Sequence, residues 1–110
     1  MSHPNKAKGD RAEREVLRIL PEYDSSARRT RPGRREDECD IHALNIVWQV
    51  KDVARPLWRE WFVQLGSQVE RSPYGQGVLV WKLRGYGGKP PKWLAVMEAD
   101  KLAQLLKEKQ

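Results

Sequence analysis

The chain has 110 residues, 33% of them charged and 39% hydrophobic, with five tryptophans, one cysteine and a net charge of +6. That length suits one domain, residues 1–110, with a modest core, and the aromatic load argues against a disordered chain. No apolar run approaches the ~20 residues that span a bilayer, the polar start lacks the apolar stretch of a signal peptide, and the lone Cys39 excludes an intrachain disulfide. A reducing cytoplasm is therefore the expected compartment. The basic balance, with a pI near 9.7, points to a polyanionic partner, nucleic acid before membrane surface.

Met1 to Gly9 reads as a flexible basic lead. Asp10 is the expected N-cap of a helix over Arg11–Leu20, stopped by Pro21. Ala12, Val16, Leu17, Ile19 and Leu20 gather in one arc at ~100° per residue. Glu13 falls inside that arc, whereas Arg11, Arg14 and Arg18 fall outside it. A carboxylate facing the body of a protein must be paired, hydrogen-bonded or bound to a metal. An ion pair with an arginine and a metal site are the two readings of Glu13.

The stretch from Ser25 to Arg35 is strongly basic, with Arg28, Arg29, Arg31, Arg34 and Arg35 around Pro32-Gly33. A short strand over Ala27–Thr30 and a loop over Arg31–Glu36 are expected. These arginines suit several phosphate contacts, and a solvated loop balanced by Glu36, Asp37 and Glu38 is the bland alternative.

Glu38 to Lys51 alternates with period two and reverses near Leu44-Asn45, which predicts an amphipathic hairpin. One face carries Ile41, Ala43, Ile46, Trp48 and Val50. The other carries Glu38, Asp40, His42, Gln49 and Lys51, with Val47 as an apolar exception. A reversal centred between Leu44 and Asn45 sets Asp40 opposite Gln49 and Glu38 opposite Lys51, with Cβ atoms about 5 Å apart.

Pro56 is placed for the first turn of a second helix running to about Arg71. Its aromatic stripe of Trp58, Trp61, Phe62, Leu65 and Val69 is expected to pack on the hairpin's apolar face, with a subunit contact as the lesser reading. The run Val78–Leu83 suggests a strand buried on both sides. RGYGGKPP, from Arg84 to Pro91, reads as a mobile basic loop, either a DNA contact or an ordinary connection. A strand over Trp93–Met97 and a helix over Ala99–Glu108, striped by Leu102, Leu105 and Leu106, complete the order. The class is α/β, a central mixed sheet flanked by helices in the order αβββαββα.

Metal-assisted phosphodiester hydrolysis needs acidic oxygens for a hard divalent cation and a cation or base to orient water and stabilise developing charge. Asp40, Gln49 and Lys51, with Glu13 from the first helix, supply those types. His42 shares their face, where an edge residue is the simpler reading, and a Lys51–Glu38 ion pair accounts for the lysine alone.

An acid ending one strand, followed by ligand-x-lysine on the next, resembles the PD-(D/E)XK nucleases. With Ala12-Glu13-Arg14-Glu15-Val16 ahead of a basic, glycine-containing segment, the chain looks like the archaeal and phage-type Holliday junction resolvases over Gly9 to Leu83. The resemblance implies a restriction-endonuclease-like core and a homodimer that cuts four-way DNA junctions with Mg2+ or Mn2+. It implies metal ligation by Glu13, Asp40, the residue at Gln49 and the Val50 carbonyl, with Lys51 as catalytic lysine and Arg14 on DNA. Arg29 or Arg31 matches the arginine ahead of the glycine. Cys39 stands where many members have proline, and Gln49 where the family has glutamate or aspartate. An amide oxygen carries no formal charge, so metal affinity is expected to fall, and Glu13 or Glu38 is placed to supply the missing charge. Two further readings follow: a nuclease-fold protein that binds DNA without cutting it, and a nuclease of the same fold aimed at flap or linear ends.

Overall fold

The computed structural model describes residues 4–29 and 41–109. Pro4 opens the first helix, α1 (Pro4–Ile19). Helix therefore covers most of the stretch expected as a flexible lead. Proline suits a first helical position, and the Ala and Lys that follow favour helix enough to absorb the cost of Gly9, about 1 kcal/mol. Asp10 consequently sits inside the helix instead of capping it. The α-helix gives way to a 3-10 turn over Leu20–Glu22, because Pro21 has no N–H and disfavours helical geometry in the residue before it.

Among the described residues five strands follow, β1 (Arg28–Arg29), β2 (Ile41–Ala43), β3 (Ile46–Lys51), β4 (Gly77–Leu83) and β5 (Lys92–Val96), in the spatial order β1-β2-β3-β4-β5. Of these described strands only β3 and β4 run parallel, joined by α2 (Trp58–Glu70), and α3 (Ala99–Glu108) is the last element among the described residues. The element order is the expected one, in a mixed sheet with three helices. Among the described residues no helix is long and apolar enough to cross a membrane.

The β2–β3 hairpin has the expected register, Ala43 opposite Ile46 and Ile41 opposite Trp48. Leu44 and Asn45 both have positive φ, 55° and 60°, the mirror-image turn whose twist matches flanking strands. The turn is anchored from outside the hairpin. The Leu44 N–H donates to Asp24 Oδ2 at 2.6 Å, and this bond, with two from Ser26, holds the Asp24 carboxyl below its usual pKa.

The sheet separates two cores. Val16 of α1 and Leu20 of the 3-10 turn pack on Ile41, Ala43, Val78 and Val80, joined by half-buried Trp48 and Val50. Trp61 and Leu65 of α2 pack on Val47 and Leu79. The aromatic stripe thus covers the opposite face of the hairpin from the one expected. A parallel β-α-β crossover in one sheet is right-handed in nearly all proteins, and the other face is already filled by α1. Val47, the apolar exception on the polar face, is fully buried as a result. Trp58 stands edge-on to both Trp61 and Trp81, with centroids 5.2 and 5.7 Å away. Close approach of α2 needs Gly77, where a Cβ would lie 2.7 Å from both Leu65 Cδ1 and Val69 Cγ2.

Candidate functional site

Two groups of residues meet the end of the sheet where the parallel strands finish. The first lies on the α1 side. Its helical position turns Glu13 inward beside Ala12 and Val16, where it is 5% exposed. β1 brings Arg29 to it: Arg29 pairs with Ile41 across the ladder and therefore faces α1. Its Nη2 donates to Glu13 Oε1 at 3.0 Å and to Asp10 Oδ1 at 2.9 Å. Glu13 Oε2 is buried and, among the described residues, accepts no hydrogen bond. Burial is the main influence on this carboxyl. It outweighs the attraction of Arg29, and with the nearby Asp10 charge it pushes the pKa up to about 7; Lys51 acts weakly in the opposite sense.

The second group lies on the α2 side. Gln49 and Lys51 alternate with Trp48 and Val50 and so share the face of Val47. α2 covers that face, which leaves Gln49 buried, with an Oε1 that has no hydrogen-bond partner among the described residues. Lys51, at the end of β3, donates from Nζ to Gln64 Oε1 at 3.0 Å and lies 5.5 Å from the centroid of the Trp61 ring. One turn of α2 thus supplies both a hydrogen-bond acceptor and a π face for the ammonium.

Glu13 and Gln49 therefore flank β3 from opposite sides, and the Lys51 charge reaches Glu13 around the strand end. The Val50 side chain packs in the α1-side core. Arg14 and Arg28 are exposed, whereas Arg29, expected on phosphate, is held by two carboxylates. Asp40, Arg31, Arg34 and Arg35, together with Glu38 and Cys39, lie outside the described residues. His42 packs edge-on against Tyr74 with centroids 5.2 Å apart, and burial, then the Arg28 charge, lowers its pKa. Among the described residues no three His, Cys, Asp or Glu side chains gather to hold a metal ion.

The ion pair with an arginine, one of the two readings of Glu13, is present with Arg29; sequence reasoning missed the share of Asp10 in it and the Gln64–Trp61 seat of Lys51. Spacing of three residues does place Asp10 and Glu13, and Trp61 and Gln64, on common helical faces. Nothing in the spacing tells which helix covers which side of the hairpin. A cavity of about 160 Å³, lined by Phe62, Leu65, Val69, Gly77, Glu98 and Lys101, opens toward the start of β4, away from Lys51. Chemically, the strand end offers a carboxyl that titrates near neutrality, two buried oxygens seeking a partner and a seated ammonium. Comparison with protein-family models, curated proteins and solved structures finds no match for the chain.

Proposed function

We propose that this protein is a metal-dependent endodeoxyribonuclease of the PD-(D/E)XK type with a restriction-endonuclease-like core, acting as a homodimer on four-way DNA junctions. The observation that carries the reading is Lys51 at the end of β3, seated on Gln64 and Trp61, with Glu13 Oε2, buried and unpartnered among the described residues, close enough to feel its charge. A buried acceptor left without a partner costs about 1–3 kcal/mol, and a hard divalent cation takes oxygen ligands of this kind. Glu13 Oε2 fits Mg2+ or Mn2+ from the α1 side, with Asp40 and the Val50 carbonyl as further proposed holders; Gln49, which faces α2, has to turn toward the strand end to join them. Such an ion supplies Lewis-acid stabilisation of phosphoryl charge and a water made acidic enough to attack.

The remaining roles belong to the chain. Lys51 offsets negative charge developing at the scissile phosphate, and its seat on Trp61 and Gln64 fixes where that charge is met. Arg14, Arg28, Arg31, Arg34 and Arg35 hold backbone phosphates, contacts that position DNA without reading its sequence. A closed two-fold dimer offers two sites to a substrate that needs paired nicks.

The test is cleavage of a synthetic four-way junction with Mg2+ or Mn2+ by wild type and Lys51→Ala, beside flap and linear duplexes. Wild type cuts the junction in preference, and Lys51→Ala loses on the order of 100-fold or more in rate. In parallel, Mn2+ lowers the Glu13 titration midpoint, a readout independent of turnover. A wild type that leaves every DNA intact at enzyme excess overturns the catalytic reading. The uncharged Gln49 favours one rival, a nuclease-fold protein that binds DNA without cutting it. Tight, salt-dependent binding with no Mn2+ uptake is its signature.

A further inference from the structure

From Arg71 to Met97 the chain contains no acidic residue but carries Arg71, Lys82, Arg84, Lys89 and Lys92. Most of these cations lie on the β4–β5 hairpin, whose tip is a built structure. Tyr86 and Lys89 form an isolated β-bridge closed by Lys89 N–H donating to Tyr86 O at 2.9 Å. Gly87 and Gly88 occupy the turn with φ of 53° and 74°, values that favour glycine and suit a tight mirror-image turn. The Lys89 and Lys92 ammonium groups lie 5.9 and 5.7 Å from the centroid of the one Tyr86 ring. Their neighbours are neutralised, Lys82 by Glu15 and Arg84 by Asp52. Lys89 and Lys92 make no ion pair with a carboxylate among the described residues.

The location matters as much as the charge. β3 and β4 are parallel with Lys51 opposite Trp81, so the hairpin leaves the sheet at the end where Lys51 stands. The Arg84–Asp52 ion pair ties the hairpin's base to the residue after Lys51. Ligands of open α/β sheets gather at the carboxyl ends of parallel strands.

We propose that the β4–β5 hairpin tip is a second nucleic-acid contact, in which Lys89 and Lys92, seated on Tyr86, grip the phosphate backbone of a DNA arm leading to Lys51. DNA is the occupant that fits. One strand presents a charge every 3.4 Å of rise, which two ammonium groups on one ring engage together, and the chain's overall charge of +6 steers a polyanion toward them. The assignment rests on the nucleic-acid part of the function proposed above and is independent of cleavage.

The experiment is fluorescence anisotropy with a labelled four-way junction in EDTA, from 50 to 200 mM KCl. It compares wild type with Lys89→Gln/Lys92→Gln, which keeps the stems on Tyr86, and with Lys89→Arg/Lys92→Arg. Each phosphate contact adds about 0.9 to the slope of log K against log salt. The glutamine pair therefore loses about 2 from the slope, and wild type loses about tenfold more affinity than it over this range. The arginine pair keeps the wild-type slope. A glutamine pair with the wild-type slope overturns the assignment while leaving DNA binding intact. A wild type that binds no DNA at 50 mM salt overturns both this assignment and the function it rests on. A wild type that shows the slope difference here yet leaves junctions intact with Mg2+ or Mn2+ in the cleavage assay above supports the hairpin contact and refutes only the nuclease.

Discussion

Glu13→Gln separates burial from pairing at the centre of the α1-side cluster. The native carboxyl titrates near 7 against 4.5 when exposed, chiefly because burial disfavours its charged form. Between those values the folded chain holds a proton that the unfolded chain releases, so stability falls as the pH rises. The favourable contribution is complete below about 4.5 and is lost as the pH passes through about 7. At 1.36 kcal/mol per pKa unit, the full span is about 3 kcal/mol. Glutamine keeps an oxygen to accept from Arg29 and does not titrate. The difference in unfolding free energy between variant and wild type must therefore shift in the variant's favour by about 3 kcal/mol from pH 4 to pH 8. Urea unfolding at constant ionic strength, followed by tryptophan fluorescence at each pH unit, measures it, and the other titrating groups cancel in the difference. Carbon NMR of the Glu13 carboxyl gives the midpoint directly. A difference that stays flat from pH 4 to pH 8, or a midpoint near 4.5, refutes the argument that burial outweighs the Arg29 ion pair.

Three further substitutions test the packing. Leu79→Ala empties a fully buried position between β4 and α2 and is expected to cost about 3 kcal/mol in urea unfolding; a loss under 1 kcal/mol means that α2 does not seal that face. Gly77→Ala forces a Cβ against Leu65 and Val69 and is expected to cost about 1–3 kcal/mol, with Gly77→Ala in a Leu65→Ala background recovering part of it. Replacing Leu44-Asn45 by Asn-Gly relieves a left-handed leucine and is expected to stabilise by about 1 kcal/mol. No gain in the unfolding midpoint would show that the Asp24 anchor, not the turn's own preference, holds the hairpin.

Much of the frame was legible in the residues. Period-two alternation from Ile41 to Lys51 and the reversal at Leu44-Asn45 set the hairpin register because a strand's side chains strictly alternate. The apolar run in β4 announced burial on both sides, and its three buried valine and leucine positions agree. Helix starts were less legible. Asp10 has the chemistry of an N-cap, yet Pro4 begins α1 and Asp10 turns to Arg29, since one capping side chain is worth only about 1 kcal/mol and a tertiary ion pair and packing outweigh it.

The sequence by itself determined element order, hairpin register and the inward aim of Glu13, because these follow from chain-local periodicity. Only the tertiary structure decided that α1 takes the Ile41 face and α2 the Val47 face, that Gln49 is consequently buried, and that Arg29 meets Glu13. Those outcomes depend on crossover handedness and on which helix covers which face, which a pattern along the chain does not encode.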